Sequence, residues 1–296
     1  MALALGLAAC SSTSASSTGA AGSGTSAAAR AVRQASTRTL ATGSAAVALR
    51  VTSDEHAGGS TPISVDVLGA FDFTKQQGEG RITFGGLPAT VGGTSSPEIV
   101  YTLAGLYLQA SGVFKQLASG KPWVQIDASS LGSIFGSAAS SHGGSLDALA
   151  SALIASPTST LGIFDTPALT ASVLGHPTVN GQRSTEYAVT IRPQTAAADT
   201  SGIARALYQS LGKGDLALTV WLDGQGRIIQ VADQQPPPRS AGSSGGAITG
   251  VVVDLANFGQ PVSVTVPPAS EVSSPSSAVS SPSPAGATAS SAGSGG

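Results

Sequence analysis

Cys10 is the one side chain here whose type and position by themselves name a chemistry. It is the only cysteine, and it follows Leu7-Ala8-Ala9 at the end of the apolar run Ala2-Leu3-Ala4-Leu5-Gly6-Leu7. Small residues ahead of a cysteine suit a signal peptidase, and a thiol at a new N-terminus can take diacylglycerol, often joined by an N-acyl chain. At about 0.8 kcal/mol per buried CH₂, one chain holds a protein marginally on a membrane and two or more hold it stably. Residues 1–10 are therefore read as a lipoprotein signal, with the mature chain starting at Cys10 on the outer face of a cell membrane. Secretory signals open on a positive segment and carry roughly 7–15 apolar residues. No Lys or Arg precedes this run, so the signal reads as truncated and its basic part is expected upstream. The bland alternative is a chance cysteine in a disordered N-terminus.

Other chemistry is hard to find. There is no Gly-x-Ser-x-Gly elbow for a hydrolase nucleophile. His56, His142 and His176 have no His or Cys partner at metal spacing, and His176, before Pro177, reads as a turn residue. Ser119-Gly120-Lys121 lacks the upstream glycine and following Ser/Thr of a phosphate-binding loop. Charged residues make up 10% of the chain and the net charge is −2, with no basic-aromatic stripe, which argues against nucleic acid as a partner. A single cysteine excludes an internal disulfide. No enzyme, cofactor or metal is expected.

The elements that would carry a site are concentrated in the middle. Residues 11–29 and 270–296 are rich in Ser, Gly, Ala, Thr and Pro and bury too little apolar surface to offset ordering entropy. The first is read as a flexible tether of roughly 25 Å mean reach, the second as a disordered tail. Between them, residues 30–269 fit one domain. Period-two alternation predicts strands around Val47-Val51, Ile63-Val67 (prolonged by Phe71 and Phe73), Ile82-Phe84, Ile99-Leu103, Tyr107-Leu108 and Trp123-Ile126. Helices are predicted around Leu131-Phe135, over Leu146-Ile154 with Pro157 as a stop, and over Pro167-Leu174 between a Thr166 cap and Gly175. Strands return at Tyr187-Ile191, at Leu216-Leu222 with a hairpin through Asp223-Gly224-Gln225-Gly226 to Ile229 and Val231, and at Val251-Leu255. A helix with Ile203, Leu207 and Leu211 interrupts them. Short connections between strands argue for an antiparallel sheet with helices on one face, an α+β fold.

Four segments together resemble a known family. Lys121-Pro122-Trp123-Val124-Gln125-Ile126-Asp127, Val179-Asn180-Gly181-Gln182 running to Tyr187, Val220-Trp221-Leu222-Asp223-Gly224-Gln225-Gly226-Arg227-Ile228, and Val253-Asp254-Leu255-Ala256-Asn257-Phe258-Gly259-Gln260-Pro261-Val262 running to Val266-Pro267-Pro268 occur in that order. The chain resembles the LppX/LprG-like lipoproteins of mycobacteria and relatives and, more distantly, the periplasmic lipoprotein carrier of the Lol system. It departs from them in Gly-rich insertions such as Gly85-Gly86 to Gly92-Gly93 and in the tail after Ser270.

The resemblance implies a strongly curved antiparallel sheet, a half-barrel, with helices covering its concave face over an apolar cavity that holds acyl chains. It implies a non-enzymatic carrier of lipid or an acylated ligand, with a possible envelope transport protein as partner. Candidate cavity residues on such a face are Val65, Val67, Tyr101, Tyr187 and Val189 from strands, and Leu149 and Leu153 from the roofing helix. Trp123 and Trp221 are further candidates, each equally readable as a large sheet-face side chain. A second reading keeps the fold as an envelope sensor or interaction module that binds a protein without lipid cargo.

Overall fold

The computed structural model describes residues 21–54, 63–85, 96–111, 118–126, 157–199, 214–233 and 247–273, together with 115, 205, 208 and 209. Cys10, the helices predicted around 131–135 and 146–154, and therefore Leu149 and Leu153, lie outside them.

The described residues form a large, curved, unclosed sheet with few helices. Its strands are β1 (Ser44–Asp54), β2 (Ile63–Asp72), β3 (Gln77–Gly85), β4 (Glu98–Thr102), β5 (Gly105–Gln109), β6 (Trp123–Ile126), β7 (Leu169–Gly175), β8 (Thr178–Val179), β9 (Gln182–Ile191), β10 (Leu216–Asp223), β11 (Ile228–Asp233), β12 (Ala247–Ala256) and β13 (Val272–Ser273). The order across the sheet is β13-β6-β5-β4-β3-β2-β1-β12-β11-β10-β9-β7, with β8 paired to β9. Two antiparallel meanders therefore meet where β1 lies against β12, Leu49 opposite Val253. Only β13 on β6 is parallel.

Register puts one apolar row across the whole sheet. Ile191, Leu216, Val220, Val231, Val253, Leu49, Val67, Ile82, Ile99 and Leu108 all fall on it. The other face carries Arg50, Asp66, Arg81, Glu98, Asp254 and Gln230, alternating with the apolar row as a half-solvated sheet requires. Bulges between Thr52 and Ser53, Val173 and Gly175, and Trp221 and Leu222 bend individual strands.

Three helices accompany the sheet among the described residues: α1 (Ala21–Leu40), α2 (Pro157–Gly162) and α3 (Pro193–Asp199). The first corrects the expected tether. Residues 21–29 are helical, and Ala28 and Ala29 are buried with Val32, Ala35, Ser36 and Thr39. Their spacing of i, i+1, i+4, i+7, i+8 and i+11 is one helix face. The side chains are small, so the helix sits close against β7 and reaches β9, β10 and β11. Its polar contacts are specific. The Thr39 hydroxyl donates to the Ala35 carbonyl at 2.8 Å and accepts the Ile228 amide at 2.8 Å. The Ser36 hydroxyl donates to the Leu161 carbonyl at 2.7 Å.

Two other expectations change. Residues 169–175 form strand β7, not a helix, because Leu169 and Ala171 are buried and alternate with exposed Thr170 and Ser172. The apparent cap Thr166 is buried, and its hydroxyl accepts the Ala168 amide at 3.2 Å in a turn that feeds the strand. Pro157 starts α2 instead of stopping a helix; a first-turn proline sacrifices no helical hydrogen bond. At the start of the expected tail, Ala269–Glu271 form a 3-10 turn and Val272-Ser273 pair with β6.

Replacing Thr39 with Val keeps the shape and leaves the buried Ile228 amide without its acceptor. We expect a loss of about 1–3 kcal/mol in urea unfolding, with Thr39→Ser retaining most of that stability.

Candidate functional site

A groove opens on the apolar row where the two meanders meet. Val47 and Leu49 of β1, Val67 and Phe71 of β2, Ile99 and Tyr101 of β4 and Leu106 of β5 wall it. Its floor is glycine: Gly69, Gly78 and Gly80 also line it. Register explains the floor, because Gly69 lies opposite Gly80, Val47 opposite Gly69, and Gly78 opposite both Phe71 and Tyr101. Three neighbouring places on the apolar face that would carry side chains carry none.

The glycines are there for want of room. A Cβ at Gly80 would lie 2.6 Å from the Leu68 carbonyl oxygen and 3.0 Å from the Gly69 Cα. At Gly78 it would lie 2.6 Å from the Phe71 ring and 2.7 Å from the Ala70 carbonyl oxygen. Backbone this close is what a sharply coiled pair of strands produces on its inner face. Around the floor, Phe71 packs against Tyr101 with ring centroids 5.3 Å apart and against Phe73 at 5.8 Å, tilted geometries that favour aromatic pairs.

The groove separates two cores. One lies between α1 and strands β7, β9, β10, β11, β12 and β1; the other comprises Ile82, Leu106, Leu108, Ala118, Val124 and Ile126. Val67 and Tyr101 pack against both. The cavity volume is about 70 Å³, well short of the roughly 300–1,000 Å³ of drug-sized ligand pockets. The expected acyl-chain cavity is thus reduced, within the described residues, to a groove of a few methylenes.

The candidate residues divide accordingly. Val67 and Tyr101 line the groove. Val65 is on the same face one step further along β2, half-buried against the second core. Tyr187 and Val189 are on the same apolar row but buried in the other core, away from the groove. Burial pushes the Tyr187 hydroxyl above its ordinary value, so it stays neutral. Trp123 and Trp221 are corrected: Val124 and Val220 hold the apolar face, and their tryptophan neighbours stand half-buried on the opposite one. The residues not anticipated are the glycine floor with Val47, Leu49, Phe71, Ile99 and Leu106. Isolated glycines within alternating strands were the available signal.

Among the described residues that line the groove, no His, Cys, Lys, Arg, Asp or Glu side chain faces it. Glu79 borders it through its backbone, while its side chain is exposed on the other face, opposite Ala70 and Val100. Among the described residues no group of three or more His, Cys, Asp or Glu could hold a metal ion. No described helix is long and apolar enough to cross a membrane.

The four segments that carry the family resemblance act as ties between distant parts of the chain. Asp223 accepts the Gln225 and Arg227 amides at 2.9 Å and pairs with the Arg227 guanidinium at 2.6 Å, which in turn lies 4.3 Å over the Phe258 ring. Asn180 donates to Asp254 at 3.0 Å. Lys121 donates to the Val272 carbonyl, and the Ser273 hydroxyl to that of Trp123, both at 3.0 Å.

The described residues thus form a curved, open sheet with an apolar groove on one face. No protein-family model and no curated protein matches the chain. Among solved structures it is similar to LprF from Mycobacterium bovis, at 16% identity and a TM-score of 0.40, over 82% of this chain and 97% of that one. It is also similar to the Mycobacterium tuberculosis lipoprotein LppX, at 14% identity and a TM-score of 0.42, over 80% of this chain and 99% of that one. A putative outer membrane lipoprotein-sorting protein domain from Vibrio parahaemolyticus follows at 8% identity and a TM-score of 0.24, over 78% and 91%. Both of the first two are mycobacterial proteins, and the second is named a lipoprotein. At these identities and scores no site residue transfers between chains, and the fold stands on strand order and register.

Gly80→Val should lower stability by about 1–3 kcal/mol, as overpacking does, and flatten the groove. Gly214→Ala, where a Cβ meets nothing within 4 Å, should stay within about 0.5 kcal/mol of the parent. Equal effects in thermal unfolding would refute the close-approach account.

Proposed function

We propose that this chain is a non-enzymatic, lipid-anchored envelope protein that receives an apolar chain end in the β1–β5 groove. The observation that carries this reading is the groove's lining: apolar walls on a bare glycine floor, with no side chain that titrates near neutral pH. Such a surface offers dispersion contacts and water exclusion and nothing that would orient a polar substrate. At about 70 Å³, the described groove suits the tip of an acyl chain, not its full length. In this reading Cys10 carries the lipid anchor, and cargo would be carried or presented at the outer face of the membrane.

A second reading has its own observation. Val32 and Ala35 of α1 are fully buried, so the helix covers that half of the sheet. A protein-binding module without lipid would look like this throughout.

Displacement of a fluorescent fatty acid separates the two. The parent should bind with micromolar affinity, and Val67→Phe, which fills the groove from β2, should weaken binding tenfold or more. Absence of saturable binding by the parent, together with no co-purifying lipid in its organic extract by mass spectrometry, would leave the protein-binding reading. For the anchor, Cys10→Ser should move the protein from the membrane to the soluble fraction and abolish labelling by an alkynyl fatty acid.

A further inference from the structure

We infer that the outward face of α1 is a docking surface for anionic lipid headgroups, which lays the domain on the membrane. The helix carries Arg30, Arg33 and Arg38 and no acidic residue. At 100° per residue, Arg30, Arg33, Gln34, Thr37 and Arg38 fall within an arc of about 140°. That arc faces away from the sheet: Arg30 and Arg38 are exposed and Arg33 is half-exposed, while Ala28, Val32, Ala35 and Thr39 are buried opposite them.

Among the described residues no ion pair takes up the positive charge on this face. The ion pairs among the described residues, Arg50–Asp66, Lys75–Asp72, Arg81–Glu98 and Arg227–Asp223, all belong to the sheet and its turns. Arg38 donates to the Gln34 side chain and to the Gln225 carbonyl, both at 3.5 Å. The chain as a whole carries −2, so attraction to an anionic surface has to be local. Chain length places the surface where it can act. Residues 11–20 separate Cys10 from the first turn of α1, and that stretch spans at most about 35 Å even fully extended. Electrostatic attraction to lipid falls off within a Debye length, about 8 Å at physiological salt. A helix on so short a leash samples that layer continually, and each arginine there adds its own attraction. The placement rests on the anchor proposed at Cys10, but the attraction itself does not.

The test uses the full chain with Cys10→Ser, so that no acyl anchor contributes. It is sedimented with vesicles of phosphatidylglycerol and phosphatidylcholine, and with phosphatidylcholine alone. Binding is expected only to the anionic vesicles, with loss in 0.5 M salt. It should weaken roughly fivefold per arginine removed, so about 25-fold for Arg30→Gln with Arg33→Gln. Arg30→Lys with Arg33→Lys should retain binding, and Arg81→Gln, on the sheet, should leave it unchanged. The inference is overturned if the parent ignores anionic vesicles, if the glutamine variant binds as the parent does, if the lysine variant loses binding, or if Arg81→Gln weakens it equally. Fatty-acid displacement is read separately on the same proteins, so failure here and failure of the groove are distinguishable.

Discussion

Between β2 and β3 the backbones come too close for side chains. With Gly69 opposite Gly80, and Gly78 opposite Phe71, any Cβ on this stretch would overlap main-chain atoms or the Phe71 ring. The rest of the molecule follows from that approach. It lets the sheet coil instead of lying flat, it leaves an apolar hollow walled by larger neighbours, and it separates the core beneath α1 from the core of β3–β6. One constraint on backbone distance thus yields both the shape of the sheet and a place on its apolar face where side chains leave space.

The two halves of the sheet have different partners for the same kind of surface. Over β7 and β9–β11 the apolar row is covered by α1, whose Ala, Ser and Thr side chains let the helix approach closely, and the Thr39 hydroxyl joins the helix to the first amide of β11. Over β1–β5 the same row is walled by Phe71, Tyr101 and Leu106 around glycine. A closed half gives rigidity and an open half gives a surface that can accept an apolar group. Holding both on one continuous sheet means that a ligand in the groove touches β1, the strand that joins the halves.

The strands were legible because valine, isoleucine and leucine alternate with polar residues along them. Val47-Leu49-Val51 in β1 and Leu216-Leu218-Val220-Leu222 in β10 show both the strand and its inward face. Helix α1 was not legible, since its buried positions are Ala28, Ala29, Val32, Ala35, Ser36 and Thr39, which hydropathy cannot distinguish from a flexible Ser/Ala tract. Strand β7 was misread because Thr166 and Gly175 look like helix caps, whereas the alternation of Leu169 and Ala171 with Thr170 and Ser172 was the better signal. Of the groove, Val67 and Tyr101 stand out from alternation, whereas parity along β6 and β10 puts Trp123 and Trp221 on the other face. The glycine floor carries no hydropathy at all and shows only as a space. The family-like segments drew attention to residues that hold the chain together, at Asp223–Arg227–Phe258 and Asn180–Asp254, away from the groove.

The neighbouring of β1 and β12 has a consequence for how such a chain is made. Ala46 lies opposite Ala256, so the central seam joins strands about two hundred residues apart, and α1 likewise rests on strands that come late. A chain emerging N-terminus first from a ribosome or a translocation pore can assemble the β1–β6 meander early. It then carries β1 as a bare edge until β12 arrives, and α1 waits undocked for β7 and β9–β11. Contacts of such long range make for slow assembly, and an unpaired edge invites association with other chains. The same delay keeps the chain threadable: until the last strands are through, its two ends have nothing to close on.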